Sequence, residues 1–326
     1  MMKRRKFITA AAMVAVAPLL GSATPALAQT WPERPITLIV PFAPGGATDI
    51  VGRIMADQLG KNLGQTVIIE NKGGAAGAIG MAELARSKPD GYTFALITDS
   101  IPIQPLLNRS LAWDMSKFEP VAKIATSPEV LVVNAGLPVN SVEELVELAK
   151  SKPSELTFAA SSAGSVHHLA GEIFQQQTGI NMVHIPYKGG GQSLVDLASG
   201  RVDTAFIGLA PVLSHLKSGQ LKALALTGRD RNPLAHDVPT FNEAGYGNFD
   251  VELWIGLVGQ KGTPNEVISA MRNAISQILS SEVIQKNLRD LGFEPVMQGK
   301  TDFAVWLSEQ QKGWEKVIDQ IGMKKD

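Results

Sequence analysis

The chain has 326 residues, 44% of them hydrophobic and 19% charged, with 30 basic against 31 acidic side chains and no cysteine. That length supports two ordinary domains, and the hydrophobic share excludes a disordered chain. The near-zero charge excludes a protein that lives on phosphate contacts. The lack of cysteine excludes disulfides, thiolate metal sites and a thiol nucleophile.

The N-terminus reads as an export signal. Lys3-Arg4-Arg5-Lys6 is basic, Ile8 to Leu20 is apolar apart from Thr9, and Ala26-Leu27-Ala28 is a small-x-small cleavage site. The apolar run is shorter than the roughly 20 residues that span a bilayer. Residues 1–28 are therefore expected to leave as a signal peptide, placing the mature protein in the periplasm. Arg4-Arg5-Lys6-Phe7-Ile8 also fits a twin-arginine signal. Removal of the four signal-peptide cations leaves 26 basic against 31 acidic side chains, a formal −5. No later segment is long and apolar enough for a membrane helix.

The elements then follow in chain order. Ile36-Thr37-Leu38-Ile39-Val40 predicts a buried strand. After the turn Pro41 to Gly46, the spacing of Ile50, Ile54, Met55 and Leu59 predicts a helix that ends at Gly60 or Gly64. Val67 to Ile69 predicts a strand, Ile79 to Ala85 a helix, and Tyr92 to Ile97 a third strand. Such alternation implies right-handed βαβ units. A second unit is expected over 126–228. It has a strand at Val130 to Val133, then a helix capped by Ser141 with Glu144 three residues on. Strands at Leu156 to Ala160, Met182 to Ile185, Thr204 to Ile207 and Leu221 to Leu226 follow, with helices at Ser165 to Gln177 and Ser193 to Ala198. Leu253 to Val258 is a further strand, and helices are expected near 265–279 and 301–321. The fold class is α/β, with two lobes, each a mainly parallel sheet flanked by helices. Lobe 1 is read as 29–125 plus 229–326, lobe 2 as 126–228, with crossovers near 125 and 228.

Two loops share one design. Pro41 to Asp49 and Ala160 to His168 each run from a strand end into a helix start and are rich in small residues. Helix N-termini offer unpaired N–H groups and a positive dipole end to an anion. Two such ends across a cleft would clamp a small carboxylate. The same loops also read as ordinary strand-to-helix turns. Phe42, beside the first glycine pair, serves equally as a ligand wall or as packing.

Enzyme readings are weaker. Ser165, His167, His168 and Asp203 suggest a hydrolase, but Ala163 breaks the G-x-S-x-G elbow, and Ser165 fits a helix cap. Adjacent His167 and His168 make a poor metal pair on a helix, and His184 reads as a strand residue. Gly73-Gly74-Ala75-Ala76-Gly77 has neither dinucleotide nor P-loop spacing. No catalytic residue, metal or cofactor is assigned.

The ordered set of motifs resembles the Bug family, the solute receptors of tripartite tricarboxylate transporters. It comprises Trp31 to Ile36, Val40-Pro41-Phe42-Ala43-Pro44-Gly45-Gly46-Ala47-Thr48-Asp49, Glu70 to Gly77, Pro186-Tyr187-Lys188-Gly189-Gly190 and Asp237-Val238-Pro239-Thr240. The resemblance spans the mature chain. It implies a two-lobed periplasmic binding protein of type II-like fold that closes on a small organic acid without catalysis. The ligand class includes carboxylates and dicarboxylates, with nitrogen-bearing and aromatic acids among them. Membrane transporter subunits are the implied partners, with no nucleic acid, and the receptor itself is monomeric and not membrane-embedded. A sensor that presents its ligand to a signalling partner is the alternative role. Carried onto this sequence, the first-loop ligand residues are Phe42, Ala43, Gly45, Gly46, Thr48 and Asp49. Those of the second are Ser161, Ser162, Ala163, Gly164, Ser165 and His167, with Tyr187 and Gly189 lining the cleft. Three departures mark this chain. Thr98-Asp99-Ser100 replaces an uncharged stretch, Gln104-Pro105 replaces Asn-Pro, and Ile207-Gly208 replaces a polar pair. Asp99, Ser100 and Gly208 therefore join the candidate ligand residues.

Overall fold

Short β-branched runs and glycine-ended helices build the first elements of the computed structural model, which describes residues 31–247, 249, 251–297 and 302–323. The expected signal peptide lies outside these residues. In order come β1 (Ile36–Val40), α1 (Ala47–Leu63), β2 (Val67–Asn71), α2 (Ala78–Arg86), β3 (Thr93–Thr98) and α3 (Ser100–Leu107). Helix α1 stops at Gly64, whose left-handed backbone lets its N–H reach the Gly60 carbonyl. The long strand β4 (Phe118–Asn134) follows, then α4 (Val142–Ser151), β5 (Thr157–Ala160), α5 (Val166–Thr178) and β6 (Val183–Pro186). Next are α6 (Gly190–Ala198), β7 (Thr204–Gly208), α7 (Leu209–Lys217) and β8 (Leu221–Leu226). The chain ends with β9 (Glu252–Gln260), α8 (Asn265–Ser280), α9 (Glu282–Asp290), β10 (Glu294–Pro295) and α10 (Phe303–Ile321).

The main sheet runs β2-β1-β3-β9-β4-β7-β5-β6, and β8 and β10 also pair with β4. Each half repeats one plan. β2, β1 and β3 are parallel, as are β6, β5 and β7. The inner strands are antiparallel: β9 to β3, β4 to β9, β4 to β7 and β8 to β4. The parallel character expected from βαβ alternation therefore holds for the outer three strands of each half. The inner strands are where the chain crosses between halves.

Strand β4 makes the first crossing in extended form. Pro128 is still paired with Glu252 of β9, and Glu129 is already paired with Gly208 of β7. The return comes at 251–252, later than the expected crossover near 228. Residues 229–247, 249 and 251 stay with the second half because Thr240 bridges Leu226, and Phe241 and Phe249 stack with Phe206 in its core. Helix α10 belongs to both halves. Phe303 and Leu307 pack with Trp254 in the first core, whereas Trp314 and Ile318 pack among Phe174 and Phe206 in the second. No described helix is long and apolar enough to cross a membrane.

Candidate functional site

Five helices begin around one cleft where the two halves meet. Gly46, Ala47 and Thr48 come from the start of α1, Asp99 and Ser100 from α3, Ser161 and His167 from the turn into α5 and its first turn, Gly190 from α6, and Gly208 and Pro211 from α7. Phe42, Ile207 and Leu253 supply apolar wall, and Thr98 completes the lining. The space is about 450 Å³ with its open mouth included.

The helix starts divide into two kinds. Asp99 and Ser165 cap α3 and α5 with their own side chains. Gly46, Gly189 and Gly208 stand at the N-caps of α1, α6 and α7, and no side chain caps these. Three helix ends thus keep backbone donors and a positive dipole end directed at the cleft. Among the described residues no lysine or arginine lines it. An anion bound here is held by amides, as at other helix N-termini.

Glycines let the two halves touch. A Cβ on Gly191 would stand 2.5 Å from the Pro44 carbonyl oxygen, and one on Gly189 would stand 2.9 Å from the Ala43 nitrogen. Across the same junction, Gln104 Nε2 donates to the Gly164 carbonyl at 2.8 Å, and the Val166 N–H donates to Ser100 Oγ at 3.2 Å. Gln104 is thus a strut between the halves.

The expected residues sort into lining and scaffold. Phe42, Gly46, Thr48, Asp99, Ser100, Ser161, His167 and Gly208 line the cleft. Asp49, expected at the ligand, is turned away into its own loop. Its carboxylate takes the Gly45 N–H, two bonds from Arg53 and one from Asn71, all at 3.0 Å. Burial opposes its ionisation, but these partners outweigh that and hold the carboxyl below the usual range. Ser165 is also scaffold, since its hydroxyl donates to the Ser162 carbonyl and accepts from the His168 N–H. Tyr187 is occupied by Asp196 at 2.9 Å, and burial together with that carboxylate pushes the phenol up to about 12. Ala43, Gly45, Ser162, Ala163, Gly164 and Gly189 shape the loops behind the lining.

One functional group escaped sequence reasoning. Glu129, fully buried on β4, lies 3.2 Å from His167 Nε2, while His167 Nδ1 is 2.7 Å from Ser161 Oγ. Glu129 sits in an apolar strand with no motif around it, so only the fold reveals this pairing. Burial disfavours the charged imidazole, yet Glu129 and Asp99 outweigh burial and raise the His167 pKa above its ordinary value. Asp99 moves the other way for a carboxylate. Burial, then the charge of Glu129, push it well above the usual range against His167, the Ser100 N–H and the Thr98 hydroxyl.

The chain resembles known proteins over nearly its whole length. BugT of Bordetella pertussis is 36% identical over 307 residues, 93% of this chain and 94% of that protein. Among solved structures, Rpa4515 of R. palustris with adipate is 35% identical with a TM-score of 0.87, covering 90% of this chain and 98% of that one. MatC from Rhodopseudomonas palustris with bound malate is 29% identical with a TM-score of 0.82, covering 88% of this chain and all of that one. Residues 51–323 match the tripartite tricarboxylate transporter family receptor. A two-lobed α/β cleft ringed by helix starts, in a family of substrate-binding receptors and not of enzymes, leads to one conclusion: this chain belongs to the tripartite tricarboxylate transporter receptor family.

Proposed function

We propose that this receptor captures a small organic acid between its two lobes and delivers it to a tripartite tricarboxylate-type membrane transporter. The observation that carries this reading is the ring of three uncapped helix starts, α1, α6 and α7, around a cleft with no lysine or arginine among its described lining residues. One carboxylate of the ligand rests on those amides. Phe42, Gly46, Thr48, Asp99, Ser100, Ser161, His167 and Gly208 are the ligand-facing residues of this proposal. The lobes are 32–128 with β9, α8 and the start of α10, and 129–251 with the end of α10. They close hinge-like on the strands that cross at 128–129 and 251–252.

Export by the signal peptide 1–28, with cleavage after Ala28, supplies the compartment. Mass spectrometry of the exported protein should find an N-terminus at Gln29, and an intact Met1 on membrane-bound protein would overturn this.

The decisive test is a thermal-shift and calorimetry panel of small carboxylates. At about 100 times its dissociation constant, a ligand bound only to the native protein adds roughly 2.7 kcal/mol of stability. Absence of any shift across a broad panel of organic acids removes the receptor reading.

A further inference from the structure

The cleft floor carries charge that carboxylate capture does not use. Asp99 is 1% exposed; its Oδ1 accepts the Ser100 N–H at 2.9 Å, and its Oδ2 has no hydrogen-bond partner. Glu129 is 0% exposed, and neither of its carboxylate oxygens has an aligned hydrogen bond. His167 faces Glu129 at 3.2 Å, and Ser161 closes its other side. Burial and the Glu129 charge favour a proton on Asp99 before a ligand arrives; once that proton leaves, two carboxylates against one imidazolium leave the floor one negative charge in excess. Lys123 feels Asp99 but lies 3.8 Å from Glu252 and over the Trp306 ring. Among the described residues no group of acidic and histidine side chains could hold a metal ion. A buried, unpaired carboxylate oxygen in a ligand cleft is costly unless something cationic or hydrogen-donating arrives to meet it.

We infer that Asp99, backed by Glu129 and His167, is a cation subsite. Asp99 Oδ2 receives a protonated amine or a ring N–H of the ligand, while the ligand's carboxylate rests on the uncapped starts of α1, α6 and α7. The substrate class is thus a small amino or N-heterocyclic carboxylic acid, selected against a plain dicarboxylate. A second carboxylate on this floor would find no donor on an ionised Asp99, and its charge would add to that of Glu129 behind His167 in a site of low dielectric, where like charges repel strongly. Glu129 matters as the group that fixes His167, so that Asp99 alone is left to the ligand.

This inference rests on the receptor reading, and matched ligand pairs separate the two. The exported protein is titrated by calorimetry with 3-aminopropanoate against succinate, 5-aminopentanoate against adipate, and proline against cyclopentanecarboxylate. In each pair that binds, the nitrogen-bearing member is expected to bind at least tenfold tighter at neutral pH. Asp99→Asn keeps the Oδ1 cap of Ser100 and removes the charge. It should cost the amino member tenfold or more and cost the partner acid nothing. Glu129→Gln, the second variant, should lower the His167 pKa, read by NMR of the imidazole. Equal or tighter binding of the dicarboxylates, or a preference unchanged in Asp99→Asn, overturns the cation subsite and leaves the receptor standing. Dicarboxylate affinity that rises as pH falls overturns it too, because Asp99 is then a protonated donor to a second carboxylate. If no member of any pair binds, the cation subsite falls, and the broad carboxylate panel decides the receptor reading separately.

Discussion

Asp49 and Ser165 belong to the proposed binding loops, yet their polar groups are taken up within those loops. Both sit in the loops that sequence reasoning singled out. Asp49 spends its four hydrogen bonds on Gly45, Arg53 and Asn71, and Ser165 spends its hydroxyl on Ser162 and His168. Ser165→Ala should therefore cost about 1 kcal/mol of stability as a lost cap, and ligand affinity should change less than twofold. A Kd loss of tenfold would return Ser165 to the site. Asp49→Ala leaves a loop N–H and an arginine without their acceptor, at about 1–3 kcal/mol in urea unfolding. The Asp49 carboxyl is held below its ordinary value, so its stabilisation is present above the unfolded pKa near 3.8 and is lost as pH falls through the folded value. His184 behaves differently. Its ring stacks at 3.8 Å on His168, and burial, then His168, hold its pKa down to about 4. The unfolded chain thus binds a proton that the folded one refuses between pH 6.5 and 4, and stability falls across that window. The ring's partial exposure limits the loss to about 1–2 kcal/mol. Asp99 and His167, both raised, act in the opposite sense, stabilising as pH falls. A comparison of wild type with His184→Phe across pH 7 to 4 isolates the ring. The variant should be the less acid-sensitive of the two, and parallel curves would rule the stack out as the cause.

At the scale of elements, the outer framework was legible in the sequence and the inner framework was not. β1 is observed over Ile36–Val40 as its β-branched run predicts, and α4 is capped by Ser141 with a 3.1 Å bond from the Glu144 N–H. The Glu144 carboxylate closes the box on Asn140 instead of on Ser141. Three helices were missed, α3, α7 and α9, of which the first two start Ser-Ile-Pro and Leu-Ala-Pro. Proline in the first turn lacks only an N–H that has no intrahelical partner there. Helix α3 is almost wholly apolar, and α7 keeps its polar residues Ser214, His215 and Lys217 to its second half, so periodicity gives little signal. Strand β4 hides for another reason. Pro120 and Pro128 interrupt it, and its register slips near 121 and 124, so only 130–133 reads as a strand. These hidden pieces position Asp99, Glu129 and Pro211. Asp99 stood out in the sequence, whereas Glu129 came to light only once β4 placed it against His167. Helix α10 carries the energetic consequence. Trp314 is buried against the second core from a helix rooted in the first. Trp314→Ala should destabilise the whole protein by about 3–5 kcal/mol in one cooperative transition. Two separate unfolding steps would show that the halves are not joined through this helix.

The whole molecule is a pair of similar halves held together by backbone that fits only because certain positions lack a side chain. The loop at 188–191 meets the loop at 43–46 across the cleft mouth, and Gly191 is the tightest point, 2.5 Å from the Pro44 oxygen if a Cβ is added. A backbone carbonyl in a loop that Asp49 anchors cannot retreat cheaply. Gly191 lies in the first turn of α6, where alanine is intrinsically the better helix former by roughly 0.5–1 kcal/mol. The two effects separate by state. With the halves apart, Gly191→Ala meets nothing and should be as stable as wild type or slightly more so. With the halves together, the methyl group strikes Pro44 and holds the mouth open. Ligand affinity should then fall at least tenfold, because the carboxylate can no longer reach amides from α1, α6 and α7 at once. Small-angle scattering should show the wild-type radius of gyration shrinking with ligand and that of the variant unchanged. A variant that binds and contracts like wild type would mean that the loops close by another path, and the steric account of closure would be wrong.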